Sequence, residues 1–321
     1  MNVLFIGGTG VISSACTAAA VAKGMQLYLL NRGRTLRPVP AEAKVIFADA
    51  RDRGSLLNAV KDLFFDVVVD WIAFTPAHIE MDIDIFAGRT NQFIFISSAS
   101  AYQTPPQRLP VTEETPLENP FWQYSRDKIA CEDLLMRHYR QNGFPVTIVR
   151  PSHTYDRTML PCRGGWTTID RLRKGKKILI HGDGTSIWTL THHVDFAKGF
   201  TGLLGNSKAI GHAFHITSDE WLTWNQIYET LAAAAGAELS PVYVPSTRIN
   251  ELDAEIGAGL LGDKMHSMIF DNSKIKSWVP EFVCSIPFEQ GAKEILAWYD
   301  ANPERKKVDE HYNKLTERLI G

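Results

Sequence analysis

Cysteine is scarce in this chain: 4 in 321 residues, Cys16, Cys131, Cys162 and Cys284. No two form a Cys-x-x-Cys pair, which argues against a disulfide framework or a thiolate-clamped metal. Reduced thiols of a cytoplasmic protein are expected. Long apolar runs are missing too, so no segment reads as a bilayer span. Charge of one sign is not in excess. A net charge of −2 offers no general attraction to nucleic acid or to anionic membranes. Met1 runs straight into an apolar stretch, leaving no place for a signal peptide. Internal repeats and low-complexity linkers are also lacking. At 45% hydrophobic and 22% charged residues the composition is that of an ordinary globular protein. The length allows a large core and two lobes.

The stretch that organises the chain is its beginning, Val3-Leu4-Phe5-Ile6-Gly7-Gly8-Thr9-Gly10-Val11-Ile12-Ser13. Four apolar residues predict a buried strand, the glycines turn the chain, and an alanine-rich helix is expected over Val11–Lys23. Strand, glycine turn and helix in that order make a phosphate cradle. Bare backbone at Gly7, Gly8, Thr9 and Gly10 admits a pyrophosphate, while free N–H groups of the helix start near Val11 and Ile12 face its charge. Ser13 stands where a third glycine is usual, and it is small enough to be tolerated.

Further apolar runs at Gln26–Leu30, Lys44–Phe47, Val67–Val69, Phe93–Ile96 and Val146–Val149 alternate with helical patterns at Gly54–Lys61, Pro76–Gly88 and Trp122–Gln141. Continuous rather than alternating runs imply strands buried on both faces. The expectation is an α/β fold with a doubly wound parallel sheet. That nucleotide-binding domain is expected to span residues 1–153, with a return at about 186–205. Residues 154–185 and 206–321 are assigned to a smaller α/β substrate-binding lobe.

Roughly 20 residues past the glycines, an NAD site places an acid on the ribose. Here the residues are Asn31-Arg32-Gly33-Arg34. Asn31 does not repel a 2′-phosphate and Arg32 offers a planar cation for one, so NADP is favoured, with NAD the alternative. A solvated arginine loop is the plainer reading. Asp49, followed by Ala50, either reaches an adenine amino group or simply ends a strand. Trp71-Ile72-Ala73 closes the fourth strand at the edge where such sheets bind ligands, though Trp71 also suits a core.

The sharpest signal is Tyr124-Ser125-Arg126-Asp127-Lys128. Positions i and i+4 share a helix face, so phenol and ammonium point into one cleft. The ammonium is expected to lower the phenol pKa from about 10 toward the range useful for proton transfer. Ser98, ending the fifth strand, supplies a hydroxyl to the same oxygen.

In its ordered motifs the chain resembles the extended short-chain dehydrogenase/reductase family, in the NAD-dependent epimerase/dehydratase branch. The motifs are Gly7–Ser13, Asp49, Ser97–Tyr102, Leu109–Pro116, Tyr124–Lys128, Arg150-Pro151, Gly182–Thr185 and Val194–Ala197. The resemblance implies a Rossmann domain with Tyr124 as general acid/base and Ser98 as a polarising partner. Lys128 would also hold the nicotinamide ribose, and backbone near Pro151 and Ser152 would meet the nicotinamide. It implies hydride transfer to or from a carbinol or carbonyl carbon of a sugar-like or small substrate.

Departures from the family narrow the substrate. Ala99 and Ser100 replace the Asp-Glu pair of dehydratases, which disfavours dehydration. Trp188 stands about where an arginine grips a nucleotide-sugar diphosphate, and His153 replaces an asparagine; both are expected at a substrate pocket. His153, His181, His192 and His193 match no zinc spacing, so no metal is expected. Trp221, Trp224 and Trp278 read as packing. The basic run Arg171–Lys177 reads as a helix end. It is also the only support for a second reading, a non-catalytic dinucleotide- or RNA-binding module, against which the overall acidity argues. A homodimer through helices such as Pro76–Gly88 and Trp122–Gln141 follows from the resemblance.

Overall fold

The computed structural model describes residues 1–35 and 37–320. Its first half alternates strand and helix: β1 (Asn2–Ile6), α1 (Ser13–Ala22), β2 (Gln26–Asn31), β3 (Lys44–Phe47), α2 (Arg53–Val60), β4 (Phe65–Asp70) and α3 (Pro76–Phe86). β5 (Thr90–Ile96), α4 (Gln123–Asn142) and β6 (Val146–Pro151) follow. Then come β7 (His153–Tyr155), α5 (Trp166–Arg173), β8 (Ile178–His181), β9 (Ile187–Trp188), β10 (Leu190–His192) and α6 (His193–Thr201). The remainder comprises β11 (Ala213–Ile216), β12 (Leu222–Thr223), α7 (Trp224–Ala235), β13 (Pro241–Val244), α8 (Ser246–Leu252) and α9 (Ala254–Gly259). It ends with α10 (Ser273–Trp278), α11 (Phe288–Asp300) and α12 (Glu310–Ile320).

Seven strands form one parallel sheet in the order β11-β6-β5-β4-β1-β2-β3. Chain order reverses between β1 and β4, so a crevice opens at their carboxyl ends, where doubly wound sheets bind ligands. Val3 and Phe5 enter one core with Phe196 and Phe200 of α6, while Leu4 and Ile6 enter another with Ile79 and Leu135 of α3 and α4. Burial on both faces is why these strands read as unbroken apolar runs.

Trp188 packs in a core with Trp166, Trp224 and Phe288. β11 pairs in parallel with β6 and completes the sheet edge. The lobe is built on two-stranded pairs, β8 with β13 and β9 with β12, around Trp166, Trp188, Trp224 and Phe288. The charged tail folds into α12, with Tyr312 and Leu315 buried.

Candidate active site

The glycine turn is shaped by positive φ angles of 102° at Gly7 and 91° at Gly8. A Cβ on Gly8 would lie 2.7 Å from Leu29 Cδ2, so only glycine fits there. Ser13 contributes a bond that the usual glycine lacks, its hydroxyl accepting from the Gly10 N–H at 2.8 Å. The cap of α1, Ile12, makes no side-chain cap bond, which leaves the first amides of the helix for an anion. His193, held neutral by burial with its pKa near 4, braces the turn at the Val11 carbonyl at 3.1 Å. The loop fits a dinucleotide pyrophosphate.

On the adenosine side, Asn31 Oδ1 accepts from the Gly33 N–H at 2.8 Å and so closes its own turn. Arg32 is well exposed and sits 3.8 Å from the Asp49 carboxylate, a loose pair that leaves the guanidinium reachable. Ala50 is buried in the core shared with Leu4 and Ile6. The Trp71 ring packs against Phe5 at 5.5 Å and Phe200 at 4.8 Å, which fits the core reading. Below it, buried Asp70 accepts from the N–H groups of Ile72 at 2.6 Å and Ala73 at 2.8 Å, and from Arg51 at 2.8 Å. Asp82 lies in the same pocket of charge, and burial beside Asp70 raises its pKa well above the carboxylate range. This network sets the loop after β4.

Tyr124 opens α4 and lines a cavity of about 480 Å³ between the sheet edge and the lobe. Ile12, Ser98, Pro151, Ser152, His153 and Trp188 line it too. The helix start is fixed by Asn119, whose Oδ1 accepts from Phe121 at 3.2 Å and Trp122 at 3.1 Å. Its amide donates to Ser100 O at 2.9 Å and to Gly262 O at 2.6 Å, tying sheet, helix and lobe together. Ser125 donates to Ser100 at 2.8 Å, and Ser100 lies 2.9 Å from Ser98. Either hydroxyl of the Ser98–Ser100 pair can be the donor, and Ser98 lines the cavity beside Tyr124.

Lys128 departs from the expected role in one respect. Its buried ammonium donates to the carbonyls of Ala73 at 2.6 Å and Ile96 at 2.7 Å, and lies 5.8 Å from the Tyr124 ring centroid. Burial lowers its pKa to about 8. The Tyr124 phenol is pushed up rather than down, by burial first and by nearby Asp263 last, with the Ser98 hydrogen bond opposing. Two of the three ammonium protons are committed to backbone, which leaves one for a ribose hydroxyl.

The cavity wall holds groups whose place sequence reasoning missed. Trp122, Arg163, Trp224, Asp263 and Lys264 all face the cavity. Asp263 and Lys264 sit on a π-helical turn, Leu260–Lys264, a distortion that is frequent at functional sites. Trp224 packs in the core beside Trp188 and also borders the cavity, whereas Trp221 is exposed. The Arg171–Lys177 run is no free basic face. Arg171 meets Glu317 at 2.5 Å, Arg173 meets Asp300 at 2.7 Å, and Lys174 meets Asp170 at 2.7 Å. Among the described residues no cluster of metal-ligating side chains occurs, and no helix is long and apolar enough to cross a membrane.

The pattern of the NAD dependent epimerase/dehydratase family matches residues 3–217, about two thirds of the chain and all of the dinucleotide crevice. The chain belongs to the NAD-dependent epimerase/dehydratase family. Among its relatives in that family is the 2′-dehydrokanamycin reductase of Streptomyces kanamyceticus, 25% identical over 251 residues. The match covers 77% of this chain and 70% of that protein. Another is the chloroplast stem-loop binding protein of 41 kDa b of Arabidopsis thaliana, 26% identical over 248 residues. That match covers 73% of this chain and 63% of the relative, so part of the relative lies outside it. UDP-glucose 4-epimerase and dTDP-D-glucose 4,6-dehydratase are also relatives. The fold is that of the UDP-glucose 4-epimerase of Bifidobacterium longum, solved with NAD+ and UDP. The TM-score is 0.75 at 19% identity, over 95% of this chain and 100% of that one. Within the family, the motifs at Gly7–Ser13 and Tyr124–Lys128 could be found by spacing. Arg163, Asn119 and the Asp263-Lys264 pair carry no such signal.

Proposed function

We propose that this chain is a nicotinamide-dependent oxidoreductase or epimerase that acts on a hydroxyl- or carbonyl-bearing carbon of a sugar-like or small substrate. The observation that carries the reading is that Tyr124, Ser98 and the backbone at Pro151-Ser152 line one cavity together with Ile12 of the glycine turn. A bound nicotinamide dinucleotide supplies or accepts the hydride. The amides after Gly10 hold its pyrophosphate, the third proton of Lys128 holds the ribose, and Arg32 favours a 2′-phosphate, hence NADP over NAD. Tyr124, kept protonated by its raised pKa, gives its phenolic proton to a carbonyl oxygen in the reductive direction and takes it back in the other. Ser98 orients that oxygen.

Ala99 and Ser100, where dehydratases carry acids, offer no proton carrier for eliminating water, which supports reduction or epimerisation over dehydration. The pairing of Arg171, Arg173 and Lys174 with acids weighs against an RNA-binding role. A homodimer through α3 and α4 completes the proposal, and a monomer mass by light scattering would remove that part. The test of function is titration with NADPH and NADH, followed by fluorescence and thermal shift. Saturable binding with NADPH tighter is expected. Binding of neither would overturn the proposal.

A further inference from the structure

The cavity beside Tyr124 holds one cation more than its own acids neutralise. Lys264 is matched by Asp263 at 2.8 Å, and its ammonium is held over the faces of Trp122 at 5.7 Å and Trp188 at 5.6 Å. Arg163 has no such partner. Among the described residues its guanidinium makes no hydrogen bond and no ion pair, and its Nε is shut off from water without an acceptor. The fold makes room for it: a Cβ on Gly259 would come within 2.3 Å of Arg163 Nη2. A guanidinium whose Nε is shut off from water and unpaired is unfavourable unless something else brings the acceptor.

A second unpartnered donor faces the same space. The Trp188 indole N–H, which can only donate, reaches His153 Nδ1 at 3.4 Å. The other ring nitrogen of His153 therefore carries the proton, and that Nε2 is buried with no partner. Burial, with Lys264 and Arg163 close by, holds the imidazole pKa well below its ordinary value, so it stays neutral. A neutral imidazole whose Nε2–H is unpartnered, on a residue that lines the cavity, is a directed donor to a hydroxyl or carbonyl oxygen.

We propose that the substrate carries a single anionic group, a carboxylate or a phosphate, clamped by Arg163, and an adjacent oxygen that accepts from His153 Nε2. This deepens the function proposed above and rests on it for placing the reacting carbon at Tyr124. One unpaired guanidinium fork suits a single carboxylate or phosphate group rather than the two linked phosphates of a nucleotide sugar. Trp188, in the position where an arginine would grip that diphosphate, instead orients His153. The guanidinium fork matches both oxygens of a carboxylate or two of a phosphate.

The test needs no cofactor. Tryptophan fluorescence, sensitive to Trp122, Trp188 and Trp224, is titrated with glucose 1-phosphate, glucuronate and glucose on wild-type protein, Arg163→Gln and Arg163→Lys. One of the two anions is expected to bind at least about tenfold more tightly than glucose, and which one identifies the anion. Arg163→Gln is expected to abolish that preference and Arg163→Lys to keep part of it, with NADPH affinity the same in all three proteins. Glucose binding as well as both anions, or anion binding unchanged in Arg163→Gln, would overturn the proposal. Should Arg163→Gln not fold, Arg163→Lys and the order of the three probes on wild type decide. Loss of NADPH binding alone would strike the proposed function and leave the anion site standing.

Discussion

The Lys128 ammonium donates to the Ala73 carbonyl at 2.6 Å, so a side chain of the reacting helix is tied to the loop after β4. The same group bonds the end of β5 at Ile96, and it is 2% exposed. It ties the loop after β4 and the end of β5 to the helix that carries Tyr124.

Replacing Lys128 by Met leaves both carbonyls unpaired, and a loss of about 1–3 kcal/mol in stability is expected. The pH dependence is more specific. The folded pKa is about 8, below the value of 10.5 for a free lysine. Between those values the unfolded chain binds the extra proton, so stability rises with pH there, and below about 8, where both states are protonated, the slope from this group levels off. The limit is about 1.4 kcal/mol per pH unit for one group. Urea unfolding at several pH values from 8 to 10 is expected to show this slope in wild type and to lose it in Lys128→Met. Equal slopes would show that Lys128 is not buried as a cation.

Tyr124→Phe removes the proton donor but keeps the ring packing against Trp122 at 4.9 Å. A fall in kcat of about 10²–10⁴ is expected, with little change in cofactor affinity. Ser98→Ala is expected to act in the same direction and less strongly. Steady-state kinetics beside a cofactor titration separates these effects. A Tyr124→Phe protein with full activity would remove the proton-transfer role.

Arg32→Ala tests cofactor choice. Arg32 lies 3.8 Å from Asp49 with an exposed side chain. Loss of a charge-assisted contact to a 2′-phosphate is expected to weaken NADPH by about tenfold or more and to leave NADH within about twofold. Calorimetric titration with both cofactors reads the difference. Equal losses would assign Arg32 a structural role.

Asn119→Ala is expected to destabilise the protein by about 2–4 kcal/mol, because two amides at the start of α4 and a carbonyl of the lobe lose a buried partner. Its kcat is expected to fall as well, since Asn119 sets where Tyr124 stands. Urea unfolding with parallel kinetics checks both. A stable variant with unaltered kcat would show that other contacts fix the helix.

Much of the fold was legible because strands buried on both faces leave unbroken apolar runs, as at Val3–Ile6 and Val67–Val69. The glycine turn and the Tyr124–Lys128 spacing were legible for a related reason: each encodes its geometry within a few residues. What escaped was set by tertiary pairing. Ala213–Ile216 reads as a strand, but nothing local says that it joins β6 rather than the lobe. Arg163 and Lys264 reach the cavity from distant segments, one on a π-helical turn that no periodicity announces. Burial reversed the expected shift at Tyr124, with Asp263 adding to it and the Ser98 hydrogen bond opposing, and neither effect can be read from the spacing of Tyr124 and Lys128.

A crystal structure of the protein grown with NADPH tests the central claim most directly. Density is expected with the pyrophosphate at the amides of Val11 and Ile12 and the nicotinamide C4 facing the Tyr124 hydroxyl. A dinucleotide bound elsewhere, or a nicotinamide turned away from Tyr124, would contradict it.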